Sequence, residues 1–182
     1  RTDLDNGGAQ LNCIVTVINE SNDPAETELD IEISNGPDLT KKSAKLLCKP
    51  NDTTKFIVDL LLDHPKLWSP ESPALYTVKA KLKQDDIVID DISDRTGIRK
   101  ITIEGNSILL NGNPVTIKGV NRYDEYGNFG VNVPEDILRK ELALMKSAGI
   151  NTIRVHYPQS PDLLSLYDEF GFMMLEEVPL NW

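Results

Sequence analysis

Gly149-Ile150-Asn151-Thr152-Ile153-Arg154-Val155-His156-Tyr157-Pro158, continuing through Asp168-Glu169-Phe170-Gly171 to Leu175-Glu176-Glu177, is the stretch that decides the fold. Ile150 to Val155 is a short apolar run carrying one arginine, Arg154. Ser160 is suited to cap a helix, and Pro161 fits the first helical position, where no N–H is needed. Leu163, Leu164, Tyr167 and Phe170 recur at helical spacing, and Gly171 stops the helix. Phe172 to Leu175 is unbroken apolar, which predicts a strand buried on both faces of a parallel sheet. Strand, loop, helix and strand in that order put chemistry at the carboxyl ends of the strands. Arg154, His156, Glu176 and Glu177 all fall at such ends.

Upstream, the same alternation begins one unit earlier. Gly105-Asn106 and Asn111-Gly112 are turn dipeptides, the second a favoured hairpin turn. Pro114 to Val120 reads as a strand ending in Asn121-Arg122-Tyr123-Asp124-Glu125. Pro134 opens a helix with Glu135 and Asp136 in its first turn, where the macrodipole favours acids. Ile137, Leu138, Leu142, Met145 and Ala148 form its apolar stripe, and Gly149 closes it. From 114 onward the pattern is strand-helix-strand-helix-strand, which implies parallel strands with right-handed crossovers.

Residues 10–103 follow a different period. Leu11 to Ile18 alternates, as do Leu29, Ile31 and Ile33, then Ala44, Leu46 and Cys48, then Phe56, Val58 and Leu60, then Tyr76, Val78, Ala80 and Leu82. Ile87 and Ile89 suggest another strand, and Ile98 to Ile103 the last. Polar turns between them argue for an immunoglobulin-like β-sandwich. The segment from Pro65 to Tyr76 holds three prolines and cannot be a regular central strand. Its Trp68 reads as a packing anchor where the segment crosses the sandwich, with carbohydrate stacking as the alternative.

A length of 182 residues holds one large or two small domains, and the apolar fraction of 40% and charged fraction of 26% are those of a soluble globular chain. The net charge of −10 argues against nucleic acid, whose phosphates need a basic face. No run reaches the roughly 18 apolar residues of a membrane span. The start, Arg1-Thr2-Asp3-Leu4-Asp5, lacks the features of a signal peptide and looks cut from something longer. Cys13 and Cys48 alternate with apolar neighbours and read as buried free thiols, which point toward a reducing, cytoplasmic compartment. There is no Cys/His cluster for zinc, no phosphate-binding glycine loop and no serine elbow, so no metal and no cofactor is expected.

The stretch resembles the signature of the β-galactosidase/β-glucuronidase family, glycoside hydrolase family 2. Asn151, Arg154, His156-Tyr157-Pro158, Leu163-Leu164, Asp168 and Gly171 carry the likeness, and Gly119-Val120-Asn121-Arg122 is similar to the motif ending that family's first barrel strand. One departure is visible, since a single residue, Val155, stands between the arginine and the histidine where the family has two. The resemblance implies an immunoglobulin-like sandwich over 1–103, then the first three strands of a (β/α)8 TIM barrel over 104–182.

It also implies the chemistry. Family members use one Glu as acid/base and another as nucleophile, roughly 5–5.5 Å apart. Glu176 and Glu177 are adjacent on a strand and point to opposite faces, so they cannot be that pair. The resemblance puts both catalytic glutamates on later strands, beyond Trp182, so the isolated fragment is expected to be inactive. It makes Asp124, Glu125, Arg154, His156 and Glu177 substrate-binding; the plainer readings are a solvated loop for Asp124 and Glu125, structural ion pairs for Arg154 and Glu177, and a hydrogen-bonded packing histidine for His156. Tyr123 stands where many members have His, and Asp168 reads as structural. Asn181 stands where metal-dependent members carry an acid, which leans away from magnesium. The partner expected is a β-linked sugar, and the intact enzyme is expected to be a homo-oligomer. A non-catalytic carbohydrate-binding or structural sandwich is the alternative.

Overall fold

Period-two alternation governs the N-terminal part of the computed structural model, which describes residues 2–5 and 7–178. Seven strands follow in order: β1 (Thr2–Asp5), β2 (Gly8–Asn19), β3 (Ala25–Asn35), β4 (Asp38–Cys48), β5 (Asp52–Asp63), β6 (Leu75–Gln84) and β7 (Ile87–Gly97). They form a three-stranded sheet, β1-β2-β5, and a four-stranded sheet, β4-β3-β6-β7. Every pairing in both is antiparallel. Ala9, Leu11 and Val17 of β2 are buried with Val58, Leu60 and Leu62 of β5, and so are Leu29, Ile31 and Ile33 of β3. Cys48 is buried and Cys13 half-buried, and both are free thiols. Asp85 and Asp86 both take positive φ, 50° and 63°, and turn β6 into β7.

The opposite face of β3 is charged. Glu32 accepts from Lys41 at 2.8 Å, and Asp30 pairs with Lys83 and accepts from Ser43 at 2.5 Å. The Lys83 and Ser43 bonds hold the Asp30 carboxyl below its ordinary pKa, and the Lys41 bond does the same for Glu32. Strand β7 differs from its neighbours because its apolar residues Ile87, Ile89 and Ile92 remain exposed at an edge of the sheet.

Two sequence expectations change here. Ile98 to Ile103 is not a last sandwich strand, because β7 already ends at Gly97 and the next strand, β8 (Ile101–Glu104), pairs with β9 (Ser107–Leu110). Asn111 and Gly112, both at positive φ (53° and 80°), then join β9 to the short β10 (Asn113–Pro114). Pro114 to Val120 is likewise not one strand, since residues 115–118 separate β10 from β11 (Gly119–Asn121).

By internal contact the chain divides into one unit of Arg1–Lys66 with Leu75–Lys100 and another of Leu67–Ala74 with Ile101–Trp182. In the second unit, β11, β12 (Thr152–Val155) and β13 (Met173–Glu176) form a parallel sheet with β12 at its centre. The helices α1 (Glu135–Ser147) and α2 (Pro161–Phe170) make the crossovers. Ser160 caps α2 as its spacing predicts, accepting from the Leu163 N–H at 3.3 Å, and Gly171 ends it at φ 74°. The core gathers Leu142 of α1, Ile153 and Val155 of β12, Leu163, Leu166 and Tyr167 of α2, and Phe172. The buried stripe of α2 runs through Leu166, whereas Leu164 is exposed. Strand β13 is only partly buried, with Leu175 at 47% exposure, because it is an edge of the sheet.

Trp68 is a buried anchor, but its segment packs within the second unit rather than across the sandwich. Its Nε1 donates to the Asp168 carbonyl at 2.8 Å, and its own carbonyl accepts from Asn111 at 3.0 Å. Lys146, near the end of α1, donates to the carbonyls of Pro70 (2.6 Å) and Gly171 (2.8 Å). Residues 67–74 are thus a strap tied to the C-terminal ends of both helices.

Candidate functional site

The parallel ladder aligns the carboxyl ends of three strands. Asn121 faces Arg154 in register, and Arg154 faces Leu175. Past the strand ends the Arg122 N–H still donates to the Arg154 carbonyl at 2.9 Å, and the Glu177 N–H to that of Val155 at 3.1 Å. Arg154, Glu177 and the residues after Asn121 therefore converge on one rim.

Arg154 joins all three strands. Its Nε donates to Glu177 Oε1 at 2.9 Å, its NH2 bonds the same oxygen, and its NH1 donates to Asn121 Oδ1 at 3.0 Å. Its side chain is 40% exposed and that of Glu177 39%, so the pair stands at the rim, open to solvent. Glu176 is exposed and Glu177 half-buried, and only Glu177 meets Arg154. His156 is half-buried and stacks on Tyr123, with ring centroids 5.0 Å apart and planes 15° from parallel. Its Nδ1 is buried and unpartnered among the described residues.

Asp124 and Glu125 differ in surroundings despite adjacency. Glu125 is exposed in the loop after β11. Asp124 is tied at three atoms, with Oδ1 bonded to Arg122, Oδ2 accepting from Gln159 at 2.8 Å, and its N–H donating to the Tyr157 hydroxyl at 3.1 Å. Burial works against the charge of Arg122, but hydrogen bonding to Glu141 and the nearby carboxylates more than offset it and hold the guanidinium above its ordinary pKa. Burial likewise pushes the Tyr167 phenol up to about 12.

Arg122, Gln159 and Glu141 are absent from the sequence-derived candidates. Arg122 stands inside the quoted Gly119–Arg122 motif, so adjacency was the available signal. Gln159 gave none, because a buried glutamine reads like any loop residue. Among the described residues no group of three or more His, Cys, Asp or Glu is placed to hold a metal ion. Asn181 lies outside the described residues.

The family model described as glycosyl hydrolases family 2 matches residues 1–99, and the model for that family's TIM barrel domain matches 101–181. This chain belongs to glycosyl hydrolase family 2. A β-galactosidase of Kluyveromyces lactis is 34% identical over 159 residues, covering 86% of this chain and 15% of the relative. A putative β-glucuronidase of Formosa agariphila is 31% identical over 173 residues, covering 94% of this chain and 20% of the relative. Among solved structures, a β-glucuronidase of Bacteroides uniformis superposes with a TM-score of 0.90 at 28% identity, over 99% of this chain and 22% of that one. A β-galacturonidase of Eisenbergiella tayi bound to galacturonate gives 0.87 at 34% identity, over 97% and 31%. The family-2 chain described here thus spans only about a fifth of the curated relatives it matches. Its fold is an immunoglobulin-like sandwich followed by the first strands of a TIM barrel, as the family models divide it.

Proposed function

We propose that these residues belong to a retaining glycosidase that hydrolyses terminal β-linked sugars, β-galactosides or β-glucuronides. The observation that carries the reading is Arg154, which ties the ends of three parallel strands together through Asn121 and Glu177 on the rim where barrel enzymes do their chemistry. The names of the relatives supply the substrate class.

In the retaining scheme one carboxylic acid protonates the glycosidic oxygen while a carboxylate attacks the anomeric carbon. Water then releases the sugar, and the first group takes the water's proton. Glu177 has one oxygen held by two donors of Arg154. We assign it, with Arg154, to the frame beneath the sugar. A cation so placed favours the ionised form of a nearby carboxyl, which suits a nucleophile. Glu125 and His156 face the sugar, His156 backed by Tyr123. The catalytic pair is assigned to barrel strands other than β11 to β13, so residues 1–182 alone turn over nothing. The test is hydrolysis of 4-nitrophenyl β-galactoside and β-glucuronide by the full-length protein and by the 182-residue chain. Turnover by the first and none by the second is expected. Turnover by the 182-residue chain, or none by the full-length protein on any β-glycoside, contradicts the reading.

A further inference from the structure

Asp124 sits between Tyr123 and Glu125 in the loop after β11, yet its carboxylate is turned into the protein. Oδ1 is bonded to Arg122, and Oδ2 accepts from Gln159 Nε2 at 2.8 Å. Both donors are buried, Arg122 at 6% exposure and Gln159 at 8%. Arg122 also donates to Glu141 of α1 at 3.1 Å, and Gln159 Nε2 to the Tyr157 carbonyl at 3.2 Å. The loops after β11 and β12 and helix α1 therefore share one network centred on Asp124.

We propose that Asp124, with Arg122 and Gln159, is a positioning residue that fixes the loop presenting Tyr123 and Glu125 and does not itself bind a sugar hydroxyl. This rests on the glycosidase reading. A hydroxyl-binding carboxylate needs open lone pairs aimed at the substrate, whereas these oxygens meet buried donors. Arg122 needs an acceptor oxygen at position 124 beside Glu141, because a buried guanidinium that loses a partner is costly. Tyr123 stacks on His156, so a loop that shifts carries half of that stack with it. Gln159 Oε1 is buried without a partner among the described residues, so this side chain contributes only its donor to the network.

That one-sided arrangement allows a swap test in the full-length protein. Gln159→Glu sets a second carboxylate against Asp124. Adding Asp124→Asn restores a donor–acceptor pair, leaves an oxygen for Arg122 and keeps the net charge. Gln159→Glu alone is expected to lower kcat/KM on 4-nitrophenyl β-glycosides by roughly 10- to 100-fold, chiefly through KM, and to speed amide exchange at residues 123–132. The double variant is expected to return both to within about threefold of the parent, as coupled partners do. A double variant no better than Gln159→Glu would make Asp124 a sugar ligand and overturn the proposal. Amide exchange needs no activity, so it decides the matter even if the protein proves not to be a glycosidase. Unchanged exchange at 123–132 in Gln159→Glu also overturns the proposal.

Discussion

Gly171 meets two demands at once. Its φ of 74° is left-handed, and a Cβ there would lie 2.5 Å from the Pro70 carbonyl oxygen of the strap. Gly36 has a similar φ of 62° but open space around it. Left-handed backbone alone costs an alanine about 1–2 kcal/mol. Gly36→Ala should lose about that much by urea unfolding, and Gly171→Ala more than about 2 kcal/mol, because a backbone oxygen cannot step aside. Equal losses would show that the strap yields. The need for a left-handed residue at Gly171 was legible in the sequence, as were the Ser160 cap and the Asn111-Gly112 turn, because each is set by a few neighbouring residues. The second demand on Gly171 was not legible, since Pro70 is distant in sequence. The networks of Arg122 and Gln159 were not legible for the same reason: burial of a polar side chain is a tertiary fact.

At the scale of elements, periodicity identified β2 to β7, β12, β13 and both helices, missed β1, and misjudged what lies between and beside them. Leu164 and Leu166 show the limit, since both fit an apolar helix face and only packing decides that Leu166 is inside. The apolar run at β13 reads as fully buried, yet the strand is a sheet edge with Leu175 half open to solvent. The charged face of β3 carries a pH prediction. Asp30 and Glu32 are held below their ordinary values of 3.8 and 4.5, by Lys83 and Lys41 respectively. A depressed carboxyl contributes stability above its unfolded pKa and loses it as pH falls through its folded pKa. Melting temperature should therefore fall on acidification below about pH 4. Lys83→Met should flatten that fall by releasing Asp30, and an unchanged slope would show that the pair contributes nothing.

At the scale of the whole molecule, the parallel sheet has two edges, because among the described residues β11 and β13 each pair only with β12. Exposed edges with apolar neighbours recruit other chains. We propose that the 182-residue chain self-associates through β13 at high concentration, and that Leu175→Lys shifts it toward monomer in light scattering. An unaltered mass for that variant would move the contact elsewhere, for instance to the exposed isoleucines of β7. A piece cut at residue 103 would separate Trp68 from the Asp168 carbonyl that it bonds, so the strap has to be kept with the second unit in any dissection. We propose that the rim built around Arg154 serves a retaining glycosidase. The most direct test is turnover of a 4-nitrophenyl β-glycoside by the full-length protein and its Arg154→Ala variant, with the anomer first released read by proton NMR. Retention is predicted, with kcat of Arg154→Ala lowered by roughly 3–4 kcal/mol of lost transition-state stabilisation and a nearly unchanged melting temperature. Inversion, or near-parental kcat with a low melting temperature, would contradict the account.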